Sequence, residues 1–65
     1  MTIQEVAEEI HKDFKAYVGV MSKFTFFTTI RRIKMNKAKP STIKAFFEKF
    51  GYIGEYNEWH KWPPQ

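Results

Sequence analysis

The chain has 65 residues, no cysteine and a net charge of +4, enough for one domain with a small core, since chains of this size bury only about 60% of the surface they expose when unfolded. The lack of Cys excludes a thiolate metal site, a thiol nucleophile and a disulfide scaffold, and fits a reducing cytoplasm. No apolar run approaches the roughly 18 residues needed to span a bilayer, and Glu5, Glu8 and Glu9 reverse the basic start of a signal peptide, so the chain reads as soluble and cytoplasmic, with no membrane partner.

Where the charge sits matters more than its sum. Residues 1–16 hold Glu5, Glu8, Glu9 and Asp13 against two lysines. Residues 17–44 hold Lys23, Arg31, Arg32, Lys34, Lys37, Lys39 and Lys44 with no acid, and residues 45–65 are near neutral. A solvated basic face is the plain explanation of such a cluster, but a 28-residue stretch without an acid points toward a polyanion. Seven Phe, three Tyr and two Trp can build a core unaided, because each ring buries on the order of 150–250 Å².

Thr2 and Glu5 have the spacing of a capping box, so a helix should begin at about residue 3. Ile3, Val6, Ala7, Ile10 and Phe14 recur on one face, and Tyr17, Val18 and Met21 extend it. A break near 11–13, with Asp13 capping a second short helix, serves the pattern equally well. Ser22–Thr25 reads as a turn, with Gly19 weakening the preceding helix and Ser or Thr capping the next. Phe24, Phe26, Phe27, Ile30 and Ile33 then fit a helical stripe, although Phe, Thr and Ile are also strand formers; helix is the preferred reading, with Thr25, Thr28, Thr29 and Arg32 opposite the stripe and Arg31 at its edge. Residues 34–39 are polar and precede Pro40, which predicts a loop. Ser41 can cap a helix carrying Ile43, Phe46, Phe47 and Phe50, with Gly51 as its left-handed terminator. Tyr56, Trp59 and Trp62 could line a last short helix ended by Pro63 and Pro64. The sum is an all-α fold: a compact bundle of four to five short helices containing a helix-turn-helix, in a single domain over residues 1–65.

Catalytic signals are weak. Glu8 and His11 are half of a Glu-x-x-His pattern, but the further carboxylates of a di-iron bundle are missing. His60 has neither a nucleophile nor a second ligand beside it in sequence, and Gly19, Gly51 and Gly54 are too scattered for a phosphate loop. No enzyme activity, metal, cofactor or small-molecule substrate is expected.

Thr25 to Ser41 is the remaining constellation: a short helix with hydroxyls and two arginines, a lysine-rich loop and a new helix start. Its pieces suit duplex DNA, with a helix in the major groove and lysines and a helix N-terminus on phosphates. Thr25, Thr28, Thr29, Arg31 and Arg32 are the candidates for bases or nearby phosphates. Lys23, Lys34, Lys37, Lys39, Ser41 and Thr42 are the candidates for the backbone. Glu5, Glu8 and Glu9 could instead face a partner's basic surface, or merely favour the dipole of their own helix. Tyr56, Trp59 and Trp62 could be interface anchors or core, and for the two tryptophans the sequence favours neither.

The segment Thr28-Thr-Ile-Arg-Arg-Ile33, the lysine-rich loop, Lys39-Pro-Ser-Thr42 and Phe46-Phe-Glu-Lys-Phe-Gly-Tyr52 resembles the later part of Cro/CI-type helix-turn-helix regulators. In that family a recognition helix is followed by a loop, a Pro-Ser helix start and a helix ending in an apolar-Gly pair. The likeness covers residues 28–52. Upstream the sequence departs from the pattern, with Val20 and Phe24 where the family has a small residue and the turn glycine. The small size and aromatic tail are also similar to the modulators of repression (antirepressors) of lactococcal temperate phages. The resemblance implies a transcriptional regulator of the lysogeny/lysis switch, acting on operator DNA, on the N-terminal domain of a phage CI-type repressor, or on both. A protein-interaction antirepressor without DNA binding is the second reading, and a basic membrane-active peptide a third.

Overall fold

The computed structural model describes residues 1–13 and 15–62. Its elements are α1 (Ile3–Lys12), α2 (Lys23–Lys34), α3 (Pro40–Lys49), β1 (Tyr52–Glu55) and β2 (Glu58–Lys61), the strands forming one antiparallel hairpin. The all-α expectation is therefore corrected to a mixed fold of three helices and a two-stranded sheet. The expected core position Phe14 lies outside the described residues.

The capping box opens α1: Thr2 N donates to Glu5 Oε1 at 2.9 Å and Glu5 N donates to Thr2 Oγ1 at 3.2 Å, so two backbone donors at the helix start are satisfied reciprocally. Val6, Ala7 and Ile10 are its buried stripe. The helix stops at Lys12, and among the described residues none is helical again before α2. Instead, Ala16, Val18 and Val20 donate to carbonyls three residues back (2.9–3.1 Å), and Gly19 has φ +81°. β-Branched valines and a left-handed glycine favour such turns over a continued helix. The helix that should precede α2 in a helix-turn-helix of the expected register is thus not formed.

The second helix is well defined at both ends. Ser22 Oγ accepts from Thr25 N at 3.1 Å. At the other end Asn36 N donates to Ile33 O (3.1 Å) and Lys37 N to Arg32 O (2.8 Å), with Asn36 at φ +57°, which is the paired-bond termination that a left-handed residue after a helix permits. α3 begins two residues earlier than expected. Lys39 is the N-cap, Pro40 holds the first helical position, and Ser41 provides no cap.

The core joins these elements through aromatic rings. Phe26, fully buried, lies 5.0–6.1 Å by centroid from Phe27, Tyr17, Phe50 and Phe46, and Phe47 meets Trp59 edge-on at 4.8 Å. The expected last helix is a hairpin. Its register pairs Tyr52 with Lys61 and Gly54 with Trp59, leaving Tyr56 and Asn57 as the turn. The three-residue spacing of Tyr56, Trp59 and Trp62 suggested a helix, but with Gly51 at φ +84° ending α3, strand alternation puts Tyr52 and Trp59 on one face against the core. Met1 and Trp59 exchange both backbone hydrogen bonds (2.6 and 2.9 Å), and Trp59 Nε1 donates to Tyr56 O at 2.6 Å. Those bonds fix the hairpin under α1 and α3.

Candidate nucleic-acid interface

Helical geometry divides α2 into two faces. Phe26, Ile30 and Ile33 are buried. At about 100° per residue, Phe24, Thr28, Arg31 and Arg32 fall on the opposite side, and Phe24 is 79% exposed. The expectation that Phe24 belongs to the apolar stripe is corrected for that reason: it sits about 200° around the helix from Phe26. Thr28 and Thr29 are half-buried, whereas Thr25, Arg31 and Arg32 are exposed.

Thr25 and Thr29 lean toward α3, where they line one wall of an open groove whose other wall is Ser41, Thr42 and Lys49, with Phe46 at its base. Four hydroxyls from two separate helices are thereby brought into one groove. The early start of α3 at Pro40 leaves Ser41 and Thr42 in the first turn with their side chains exposed. Lys23, Lys37 and Lys39 are exposed on the two helix starts and on the connecting loop.

Among the described residues, Lys23, Arg31, Arg32, Lys37, Lys39 and Lys44 take part in no ion pair. Lys34 is different. Its ammonium donates to Glu8 and lies 2.8 Å from His11 Nδ1, so it ties α2 to α1 and is taken out of the free cationic set. That contact holds the Glu8 carboxyl below its ordinary pKa, because hydrogen bonding and charge from Lys34 both favour the ionised form. Lys49, which the sequence reading left out of the site, joins this surface, and its signal was helical phase: it falls off the Ile43–Phe46–Phe47 stripe on the groove side. Lys44 lies on the other flank of α3, where it lines a cavity with Glu55 and Tyr56 of the hairpin.

The residues expected to face a protein partner do not converge. Glu5 is engaged in the capping box, whose hydrogen bonds lower its pKa. Glu8 is bound to Lys34, and Glu9 pairs with Lys12 at 3.4 Å. Trp59 is 3% exposed and belongs to the core, a correction to its possible role as a surface anchor, because its ring packs on Phe47 and its N–H is satisfied internally. Tyr56 and Trp62, by contrast, are 77% and 57% exposed. Neither lines the α2–α3 groove.

Among the described residues no group of three or more His, Cys, Asp or Glu side chains could hold a metal ion, and no helix is long and apolar enough to cross a membrane. Comparison with family models, with curated proteins and with solved structures finds no match to this chain.

Proposed function

We propose that the chain is a phage-type transcriptional regulator that docks duplex DNA on the surface formed by α2, the loop 35–39 and the start of α3. One observation carries this reading. The first turns of α2 and α3 contain no acid and instead place Lys23 in α2 and Lys39 at the α3 N-cap. A cation near a helix N-terminus opposes the dipole, at about 0.3–1 kcal/mol each. Helix stability accounts for Arg31 and Arg32, in the last turn of α2, but not for these lysines. Their positions suit an anion that approaches both helix starts together, and a row of phosphates is such an anion. The resemblance of residues 28–52 to Cro/CI-type regulators agrees with this choice of ligand.

The test is fluorescence anisotropy of a labelled duplex over a range of salt. Affinity should fall steeply with salt, and Arg31→Ala with Arg32→Ala should flatten the log–log slope by roughly 1–2, since each lost phosphate contact removes about 0.9. No binding at low salt would end the proposal.

A second reading, contact with the N-terminal domain of a CI-type repressor, is favoured by Tyr56 and Trp62, two large rings exposed on the hairpin away from the groove. Tyr and Trp commonly anchor protein interfaces. Trp62→Ala, which leaves intact the cavity that Tyr56 shares with Pro40 and Ser41, should weaken binding to that domain while leaving DNA affinity unchanged; a repressor that binds wild type and variant equally would exclude it.

A further inference from the structure

We propose that Phe24 is a specificity residue that packs on thymine methyl groups and gives the surface a preference for A·T-rich duplex DNA; this rests on the DNA reading above. Phe24 is the second residue of α2, is 79% exposed and makes no ring contact among the described residues. Of its neighbours along the helix, Phe27 three residues on is half-buried against the core, Thr28 one turn on and Arg31 two turns on are polar or cationic, and Lys23 and Thr25 flank it in sequence. An exposed ring flanked by hydroxyls and cations, with no acid near it in sequence, suits a ligand that is apolar at one point and anionic on both sides.

The major groove of an A·T-rich duplex has that form. Its floor carries the C5-methyl groups of thymine between two phosphate walls, and Phe is among the side chains that contact those methyls. The position also fits, because residues near the N-terminus of a groove-bound helix are those that reach base edges. The side-chain inventory of the exposed face supports the same assignment. Within α2 it has no Asn, Gln, Asp or Glu, so it lacks the amide that reads adenine and the carboxylate that reads cytosine; the amide of Asn36 in the following loop accepts from Gln4 Nε2 at 3.5 Å. Guanine could be bound by Arg31 or Arg32, but those cations serve phosphates equally well. A threonine methyl can make the same contact as Phe, but Thr28 is half-buried, so Phe24 is the largest exposed apolar group on this face.

The experiment compares poly(dA–dT) with poly(dA–dU), polymers that differ in the thymine methyl, for the wild-type protein and for Phe24→Ala at one salt concentration. Wild type should bind the thymine polymer about three- to fourfold more tightly per methyl buried, the effect of one methyl-sized group leaving water. Phe24→Ala should bind the two polymers equally, keep its salt slope, and retain the wild-type unfolding midpoint, as an exposed ring requires. Equal affinity of wild type for both polymers would overturn the assignment while leaving the DNA reading intact. A thymine preference that survives undiminished in Phe24→Ala would also overturn it, placing discrimination in duplex shape. Failure of wild type to bind either polymer at low salt would remove the DNA reading and this inference together.

Discussion

Substituting Gly54 by alanine tests the hairpin that replaces the expected last helix. Gly54 has φ +146° and faces Trp59 across the strand pair. A Cβ placed there would overlap Glu58 O and lie 2.9 Å from Trp59 Cα and 3.0 Å from Glu58 C. All three are backbone atoms, so no side-chain rotation relieves the clash and the strands must separate. Overpacking costs about 1–3 kcal/mol, and a side chain in a sparsely populated backbone region adds about 1–3 kcal/mol. The expected loss is about 2–6 kcal/mol, against roughly 3–5 kcal/mol of total stability for a domain this small. Strand separation also pulls Trp59 from Phe47, so urea unfolding followed by tryptophan fluorescence reads both events. Gly54→Ala should be largely unfolded in dilute buffer or retain a red-shifted native spectrum. A midpoint within 0.5 M urea of wild type and an unshifted spectrum, about 1 kcal/mol or less at typical m-values, would refute the strand pairing.

Phe26→Ala removes the ring on which four other aromatics converge and should cost about 3–5 kcal/mol, measured as loss of cooperative thermal unfolding; a Tm within a few degrees of wild type would exclude this core. Glu8→Gln should flatten the acid limb of the stability curve. The folded-state pKa of Glu8 is depressed, so its contribution is present above the ordinary glutamate range and is lost as pH falls through the depressed value. Wild type and Glu8→Gln should therefore converge in stability at low pH and diverge toward neutrality, and parallel curves from pH 2 to 7 would show that the Lys34 contact contributes nothing.

The helices were legible because their ends and their stripes are local. Thr2 with Glu5, and Gly51 after Phe50, are determined by neighbours within a turn, and so is the phase of Ile43, Phe46 and Phe47. Ser22 was equally readable as a cap. The hairpin was not, since Tyr56, Trp59 and Trp62 have helical spacing and the decisive interactions are distant in sequence: Trp59 with Phe47, and Trp59 with Met1. Tyr56 at φ +53° compounds the difficulty, because this turn position usually announces itself with Gly or Asn. The acid-free stretch was visible as composition, but which of its cations are free was not. Lys34 could be separated from Arg31 and Arg32 only once α1 was seen to bring Glu8 and His11 beside it. Likewise Phe24 and Phe26 are indistinguishable in type, and only the phase of α2 puts one in the core and the other in solvent.

The lysine at the start of α3 supplies the sharpest contrast between folding and binding. Lys39 occupies the N-cap with extended backbone (φ −71°, ψ 149°) and makes no side-chain cap. Aspartate accepts that geometry, would bond to the free N–H groups of the first turn, and would place a negative charge at the positive end of the dipole. Cap formation contributes about 0.5–2 kcal/mol. If folding alone had selected this position, Lys39→Asp would be a gain without a loss. On the DNA reading the same change reverses a charge at a helix start that faces phosphates, so stability and affinity should move in opposite directions: a Tm raised by several degrees, and duplex affinity reduced at low salt with a shallower salt slope. A variant that is more stable and binds duplex DNA as tightly as wild type would place the DNA elsewhere on the molecule. One that is no more stable would mean that α3 does not begin at Pro40. Only the opposed pair of changes shows that stability has been given up at this helix start in favour of a polyanion.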